Sequence, residues 1–130
     1  MGINVRIEGK LKNENPQILE DLELLYEADR LFEKVLKDLE IPGKKLWVVE
    51  EFKLTFLENT FEIFGDGKFQ FMGIETFLIF LSRQGFYGKI LTFYEGGTET
   101  FKLEKGKVIS SKTGDVILEE LMRDEYFLWN

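Results

Sequence analysis

The fold is decided by residues 67–130, which read GKFQFMGIETFLIFLSRQGFYGKILTFYEGGTETFKLEKGKVISSKTGDVILEELMRDEYFLWN. After the apolar segment Ile74–Leu81, runs of strand-forming residues are separated by the turn signals Gly96-Gly97 and Lys105-Gly106. The eight residues of that segment are apolar almost all round, which predicts a helix buried between a sheet and another layer. They are too few to cross a membrane. We therefore predict a buried helix followed by three short strands.

The first half of the chain predicts a strand, a helix and a hairpin. Polarity alternates over Ile3–Glu8, as in a half-buried strand. Asn15 and Pro16 suit an N-cap and a first helical residue, and the amphipathic pattern that follows predicts one long helix to about Glu40. Two strand-like runs between residues 45 and 64 predict a hairpin, closed by a turn at Gly65-Asp66-Gly67.

The end of the chain predicts a short helix and an aromatic terminus. Gly114 opens a segment whose apolar residues form one helical stripe. Tyr126–Trp129 is apolar enough either to dock as a strand or to remain an exposed adhesive end. Residues 1–130 are therefore predicted to form a single α+β domain with a mixed or antiparallel sheet of about five to seven strands. A long N-terminal helix, a buried central helix and a short C-terminal helix complete this prediction.

Composition argues against several kinds of active site. The chain has no histidine and no cysteine, which removes Ser–His–Asp catalysis, thiolate chemistry and the commonest transition-metal ligands. No Gly-Lys pair is followed by the Ser or Thr that a phosphate-binding loop needs. We therefore expect no enzymatic activity, no cofactor and no metal site. On residue types alone, a carboxylate-dependent hydrolase stays open as an alternative.

The charge balance points away from nucleic acid. With 24 acidic and 17 basic residues the net charge is −7, which disfavours a phosphate backbone as partner. Phe93, Tyr94 and Phe101 fall on adjacent predicted strands as in base-stacking platforms, but the pattern lacks the basic groove that such a platform requires. An acidic chain is also compatible with an inhibitor-type binding protein, such as an antitoxin, an immunity protein or a nucleic-acid mimic.

The expected location is the cytoplasm. The N-terminal residues lack the apolar core of a signal peptide, and no apolar run reaches the length of a membrane span, so no membrane partner is expected. Abundant Lys and Glu without cysteine are typical of a thermophilic source.

A series of turn glycines and apolar segments runs through residues 64–130. It comprises an opening Gly67, a helix core of Phe77, Leu78 and Leu81, the turn Tyr87-Gly88-Lys89-Ile90, the strand–glycine–strand segment Phe101–Ile109, the helical segment Gly114–Leu121 and the aromatic segment Tyr126–Trp129. This series resembles the PATAN-type domain, the PatA N-terminal domain family of bacterial signalling proteins. Residues 1–63 form a strand–helix–hairpin half outside the resemblance.

The resemblance implies a protein–protein interaction module in bacterial signalling or regulation. Domains of that family occur beside response-regulator receivers, kinases or Roadblock-type domains, and they have no recognised catalytic residues. The expected partner is therefore a protein of a response-regulator, kinase or small-GTPase system, with a second copy of the chain, forming a homodimer, as a further candidate.

The turn at residues 82–88 is the candidate interaction site. It carries Arg83, Phe86 and Tyr87 on a loop that leaves a helix, and arginine and aromatic residues dominate interface hot spots. Trp129 in the aromatic terminus is the fourth candidate. The alternative is that Phe86 and Tyr87 fold back to cap a hydrophobic layer.

Residues 64–130, produced alone, test the prediction of a single domain. We expect no cooperative thermal transition by circular dichroism, because the N-terminal helix has a broad apolar face that belongs to the same core. A fragment that is monomeric and melts cooperatively would show that the second half is a domain of its own.

Overall fold

The computed structural model describes residues 3–39, 51–57, 60–69, 71–95, 97–111 and 116–117. Three helices and seven strands lie within these ranges. In chain order they are β1 (Ile3–Lys12), α1 (Pro16–Glu27), α2 (Leu31–Asp38), β2 (Glu51–Phe56), β3 (Thr60–Phe69), α3 (Phe71–Arg83), β4 (Tyr87–Tyr94), β5 (Gly97–Glu104), β6 (Lys107–Ser110) and β7 (Val116–Ile117). No helix among them has both the length and the apolar character that a membrane span requires.

The seven strands form one sheet in the order β2-β3-β1-β4-β5-β6-β7. Every neighbouring pair is antiparallel. The N-terminal strand therefore lies in the interior of the sheet, with β3 on one side and β4 on the other. Helices packed on an antiparallel sheet confirm the predicted α+β class.

Alternation along β1 separates the two faces of the sheet. Val5, Ile7 and Leu11 are buried, whereas Arg6 and Lys10 between them are exposed. Successive side chains of a strand point to opposite faces, so one face of β1 belongs to the core and the other to solvent. The same alternation recurs along β4 and β5.

Gly9 sets how closely β1 and β4 approach each other. It stands opposite Ile90 on the core side of the sheet. A Cβ atom built on Gly9 would lie 2.5 Å from the carbonyl oxygen of Lys89 and 2.6 Å from the Cδ1 atom of Ile90. Real Cβ atoms do not approach other atoms so closely, so glycine is the residue that fits this register.

Helix α3 confirms the predicted buried central helix. Every residue from Ile74 to Ser82 is buried, on all sides of the helix. The helix contacts β5 and β6 on the sheet and α2 on its other side. The Phe77 ring meets the Phe32 ring of α2 edge to face, with the centroids 5.5 Å apart. An edge-to-face pair adds to the free energy gained from burying the two rings.

A chain of aromatic rings joins α1 to the end of α3. Tyr26 of α1 contacts Phe56, Phe56 contacts Phe61, and Phe61 contacts Phe86, with ring centroids 6.0, 4.9 and 5.5 Å apart. The Tyr26 hydroxyl also accepts a hydrogen bond from the backbone N–H of Leu54, 3.3 Å away. These contacts hold α1 and the end of α3 against β2 and β3, at the edge of the sheet that β2 forms.

The prediction of one long N-terminal helix is wrong, because the helix breaks at Asp29. Asn15 and Pro16 begin α1 as predicted, with the Asn15 side chain accepting a hydrogen bond from Gln17 N–H at 3.0 Å. At the other end, Asp29 adopts a φ of 57°. The N–H of Asp29 bonds to the Tyr26 carbonyl at 3.1 Å and that of Arg30 to the Leu25 carbonyl at 2.8 Å, the two bonds of a Schellman motif. The chain then starts again as α2.

Two further predictions need correction. Gly65-Asp66-Gly67 is not a turn, since these residues continue β3 and pair with Ile7, Arg6 and Val5 of β1. Glycine within a strand allows the close approach of a neighbour without ending the strand. Val116–Ile117 forms the strand β7 beside β6 and is not helical. The rest of the predicted C-terminal helix, the aromatic terminus and residues 45–50 lie outside the described residues.

Replacing Asp29 by glycine should stabilise the protein. Asp29→Gly is expected to raise the free energy of unfolding by about 0.5–1 kcal/mol, because glycine adopts a positive φ without the steric cost that a Cβ atom imposes. Ala28→Gly is the matched control. Ala28 has an ordinary φ of −84°, so glycine there should lower the stability. Urea unfolding of both variants measures the difference, and a loss of stability in Asp29→Gly would contradict the assignment of this residue as the helix terminator.

Candidate functional site

The face of the sheet away from the helices, here called the open face, carries a set of polar and apolar side chains that are exposed or half-buried. Its members come from six strands: Arg6, Glu8, Lys10 and Lys12; Lys53 and Thr55; Glu62, Phe64 and Asp66; Tyr87, Lys89, Leu91 and Phe93; Thr98, Thr100, Lys102 and Glu104; Lys107 and Ile109. They lie on the outward-pointing side of these strands.

Charge is separated between the open face and the helical layer. Among the side chains named above, seven are basic and four are acidic, a net charge of +3. The segment Pro16–Asp38, which contains α1 and α2, carries seven acidic and three basic residues, a net charge of −4. In a chain of net charge −7, the open face is therefore a local excess of positive charge. A surface of one sign attracts partners of the other and speeds their encounter.

Three lysines stand side by side across the centre of the open face. Lys10 of β1 is directly opposite Lys89 of β4, and Lys89 is directly opposite Lys102 of β5. Like charges opposite each other destabilise a strand pair. Glu62 pairs with Lys10 at 3.2 Å and Glu104 with Lys102 at 3.4 Å, but Lys89 forms no ion pair with any described residue. We call these three residues the lysine row.

Apolar side chains adjoin the lysine row. Leu91 and Phe93 follow Lys89 on the same face of β4 and are 38% and 36% exposed. Phe64 of β3 is half-buried, and the guanidinium carbon of Arg6 lies 5.5 Å from the centre of its ring. Exposed apolar groups bordered by charges are typical of interaction surfaces.

A depression of about 400 Å³ lies over β4, β5 and β6 on the open face. The side chains that line it are Lys89, Thr100, Lys102, Glu104, Ile109 and Ser111. Ser111 continues the β5–β6 ladder beyond β6, since its N–H bonds to the Thr100 carbonyl at 3.0 Å and its hydroxyl accepts from the Thr100 N–H at 2.9 Å. The floor of the depression is therefore regular, hydrogen-bonded sheet.

Phe86 folds back onto the hydrophobic core, which is the second of the two possibilities that the sequence left open. Gly85, with a φ of 94°, ends α3 in a Schellman motif, in which Gly85 N–H bonds to the Ser82 carbonyl and Phe86 N–H to the Leu81 carbonyl, both at 3.1 Å. The residue after such a glycine commonly packs back onto the helix end. Phe86 is accordingly 1% exposed and contacts Phe61, so it anchors the turn and does not face a partner.

Tyr87 and Arg83 are both exposed, as a contact site requires. Tyr87 opens β4 on the open face, opposite Lys12 of β1. Its hydroxyl donates a hydrogen bond to a carboxylate oxygen of Glu14 at 2.7 Å. That bond raises the pKa of Tyr87 above its ordinary value of 10.0, and lost solvation and the negative charge of Glu14 act in the same direction. Trp129 lies outside the described residues.

Asn13 joins the two connections beside Tyr87. Its side-chain oxygen accepts a hydrogen bond from the Asn15 N–H, and its amide nitrogen donates to the Gln84 carbonyl, both at 2.9 Å. The side chain is buried and both bonds are partly buried, which limits competition from water. The start of α1 and the end of α3 are therefore held together, which fixes Glu14 next to Tyr87.

On the core side of β5, Glu99 is a buried carboxylate. It accepts a hydrogen bond from the Ser110 hydroxyl, and its backbone carbonyl accepts one from the Thr92 hydroxyl at 3.1 Å. Its Oε1 atom has no hydrogen-bond partner in the part of the chain that the structure describes. Nor do those residues bring three acidic side chains together as a metal site would need. The contact between Glu99 and Ser110 joins β5 to β6 on the core side of the sheet.

The lysine row is a feature that the sequence pattern did not reveal. Lys10, Lys89 and Lys102 are brought together by strand register, which a linear pattern does not reveal. Of the three residues read as a stacking platform, Phe101 is buried and Tyr94 lies on the core side, so Phe93 alone faces solvent on the open face. The surface is therefore basic with scattered apolar groups, and is not an aromatic platform.

The hydrogen bond between Tyr87 and Glu14 should make the stability of this region fall as the pH becomes alkaline. Because the folded-state pKa is raised above the value of 10.0 in the unfolded chain, the bond contributes below pH 10.0 and is lost as the phenol ionises at higher pH. Glu14→Gln should return the pKa of Tyr87 towards 10.0 in an NMR titration of the tyrosine ring. The Tyr87→Phe variant identifies the Tyr87 resonance, because that resonance is missing from its spectrum. A Tyr87 pKa that is not above 10.0 in the wild type would refute the contact.

No protein-family model, no curated protein and no solved structure matches this chain. The resemblance of residues 64–130 to the PATAN-type domain therefore stays a prediction. Function is accordingly inferred from the chemistry of the open face and of the turn that borders it.

Proposed function

We propose that this domain is a non-catalytic protein–protein interaction module that binds an acidic partner through its open face. The lysine row carries the proposal, since three like charges are held opposite one another on a chain of net charge −7. Such an arrangement costs stability in the free protein. A negatively charged partner would relieve that repulsion on binding.

Mixed surface chemistry favours a protein partner over a nucleic acid. Leu91 and Phe93 offer apolar contact area next to the lysine row, as protein interfaces do. Glu8, Glu62 and Glu104 stand among the basic residues of the same face. A phosphate backbone that crossed the face would meet these carboxylates, whereas a folded protein or peptide can place its charges between them.

The resemblance to a signalling family suggests the kind of partner. A protein of a response-regulator, kinase or small-GTPase system with an acidic surface would satisfy both the resemblance and the charge of the open face. The exposed Tyr87, on the same face, would extend the contact towards Arg83. An inhibitor-type protein is the second candidate, because the acidic helical layer, of net charge −4 over Pro16–Asp38, would suit a basic target.

Binding of two polyanions tests the proposal. Fluorescently labelled poly-L-glutamate and oligo-dT are titrated with the wild type and with a variant in which Lys10, Lys89 and Lys102 are all changed to Gln. We expect poly-L-glutamate to bind, and the triple variant to bind it about tenfold more weakly, since three exposed charge contacts contribute roughly 0.5 kcal/mol each.

The matched control removes the same charge from the helical layer, with Arg30, Lys34 and Lys37 all changed to Gln. It should bind poly-L-glutamate as the wild type does. Equal loss in both variants would show a nonspecific response to net charge and contradict the proposal. Tighter binding of oligo-dT than of poly-L-glutamate would make the open face a nucleic-acid surface instead.

A further inference from the structure

We infer that β4 selects its partner by sequence pattern: an extended acidic segment with a carboxylate side chain opposite Lys89 and apolar side chains at the second and fourth positions after it. This inference rests on the proposed function and specifies the ligand of the same face. Three observations carry it: the residual charge of the lysine row, the spacing along β4 and the shape of the surface beside it.

The residual charge of the lysine row is +1, which a single carboxylate would balance. Glu62 and Glu104 compensate Lys10 and Lys102, at 3.2 and 3.4 Å. Three positive and two negative charges leave one positive charge, centred on Lys89. A single carboxylate from a partner would balance it, whereas a phosphate with close to two negative charges would leave the site negative. The depression of about 400 Å³ beside Lys89 gives that carboxylate a concave seat.

The spacing along β4 matches that of an extended peptide. Lys89, Leu91 and Phe93 are alternate residues of one strand, so their side chains project from one face at intervals of roughly 6.6 Å. An extended partner segment presents its own alternate side chains at the same interval. One carboxylate on Lys89 therefore brings apolar side chains onto Leu91 and Phe93 in the same register.

The surface beside β4 leaves room for those apolar side chains. On β5, Thr100 stands opposite Leu91 and Thr98 opposite Phe93. These threonine side chains are shorter than Leu91 and Phe93, which leaves the β5 side of the two apolar residues open to a partner. On the β1 side, Glu8 and Arg6 stand opposite the same two residues and pair with each other at 3.6 Å. Leu91 and Phe93 are thus bordered by short side chains on the β5 side and by a charged pair on the β1 side, which favours a segment displaced towards β5.

A pair of synthetic peptides of equal composition tests the inference. The first, Ser-Glu-Ser-Leu-Ser-Phe-Ser with blocked ends, carries the pattern; the second, Ser-Ser-Glu-Leu-Phe-Ser-Ser, has the same charge and apolar content without it. Titration of the full chain followed by backbone amide NMR shifts should show the first peptide binding about tenfold more tightly, with the largest shifts on β4 and β5.

Protein variants locate the contact. Lys89→Gln and Leu91→Thr should each weaken binding of the first peptide about threefold to tenfold, because each removes one of the matched contacts. Lys107→Gln, on the same face but outside the lysine row, should leave it unchanged. Thermal melts confirm that each variant is folded, and Lys89 and Leu91 are exposed, so folding should be retained.

The outcomes separate this inference from the proposed function. Equal binding of the two peptides would overturn the pattern while leaving an acidic-partner module that still binds poly-L-glutamate. Glutarate binding as tightly as the first peptide would show a site for small organic acids and overturn the docking of a segment. No binding of either peptide overturns the inference, whereas the proposed function is overturned by the outcomes of the polyanion titrations or by a wild type that does not bind poly-L-glutamate.

Discussion

The sheet depends on the close approach of β1 and β4, which two glycines on facing strands permit. A Cβ atom on Gly9 would collide with Lys89 and Ile90, and one on Gly88 would lie 2.6 Å from the carbonyl oxygen of Lys10. Gly88 also has a φ of 139°, which side chains rarely adopt. Because β1 joins β3 to β4, any side chain at these positions would push apart the two halves of the sheet.

The close approach of β1 and β4 also fixes which side chains are neighbours on the open face. With Gly9 opposite Ile90, Lys10 is opposite Lys89 and Glu8 is opposite Leu91. A shift of one residue would turn the lysines inward and the core residues outward, at a cost that burial of Ile90 and Leu11 makes prohibitive. The packing of the core therefore keeps Lys10, Lys89 and Lys102 side by side. On a flexible segment, three like charges would move apart. The register that the core fixes is therefore also what sets the charge pattern of the open face.

Local patterns revealed most of the elements, and non-local geometry supplied what they missed. Alternation found β1, and the all-apolar segment found α3. The break at Asp29 carries neither glycine nor proline, so an amphipathic pattern runs through it unbroken. Gly65 and Gly67 read as a turn because their packing against β1 is not local. The burial of Phe86 could be predicted from the sequence, since a glycine after a helix followed by an apolar residue signals a Schellman motif. The lysine row could not be predicted, because its three members are brought together only by strand register.

The position of β1 has a consequence for how the chain acquires its fold. Val5 pairs with Gly67 on one side and with Tyr94 on the other, so both partners of the first strand are distant along the chain. Pairing over such separations slows folding, since long loops must close before the contacts that reward closure can form. During synthesis β1 is made before β3 and β4, so it has no partner strand until β3 is made, and its second edge stays open until β4 follows. In that interval the hydrogen-bonding edges of β1 are unpaired, and association with other nascent chains competes with folding.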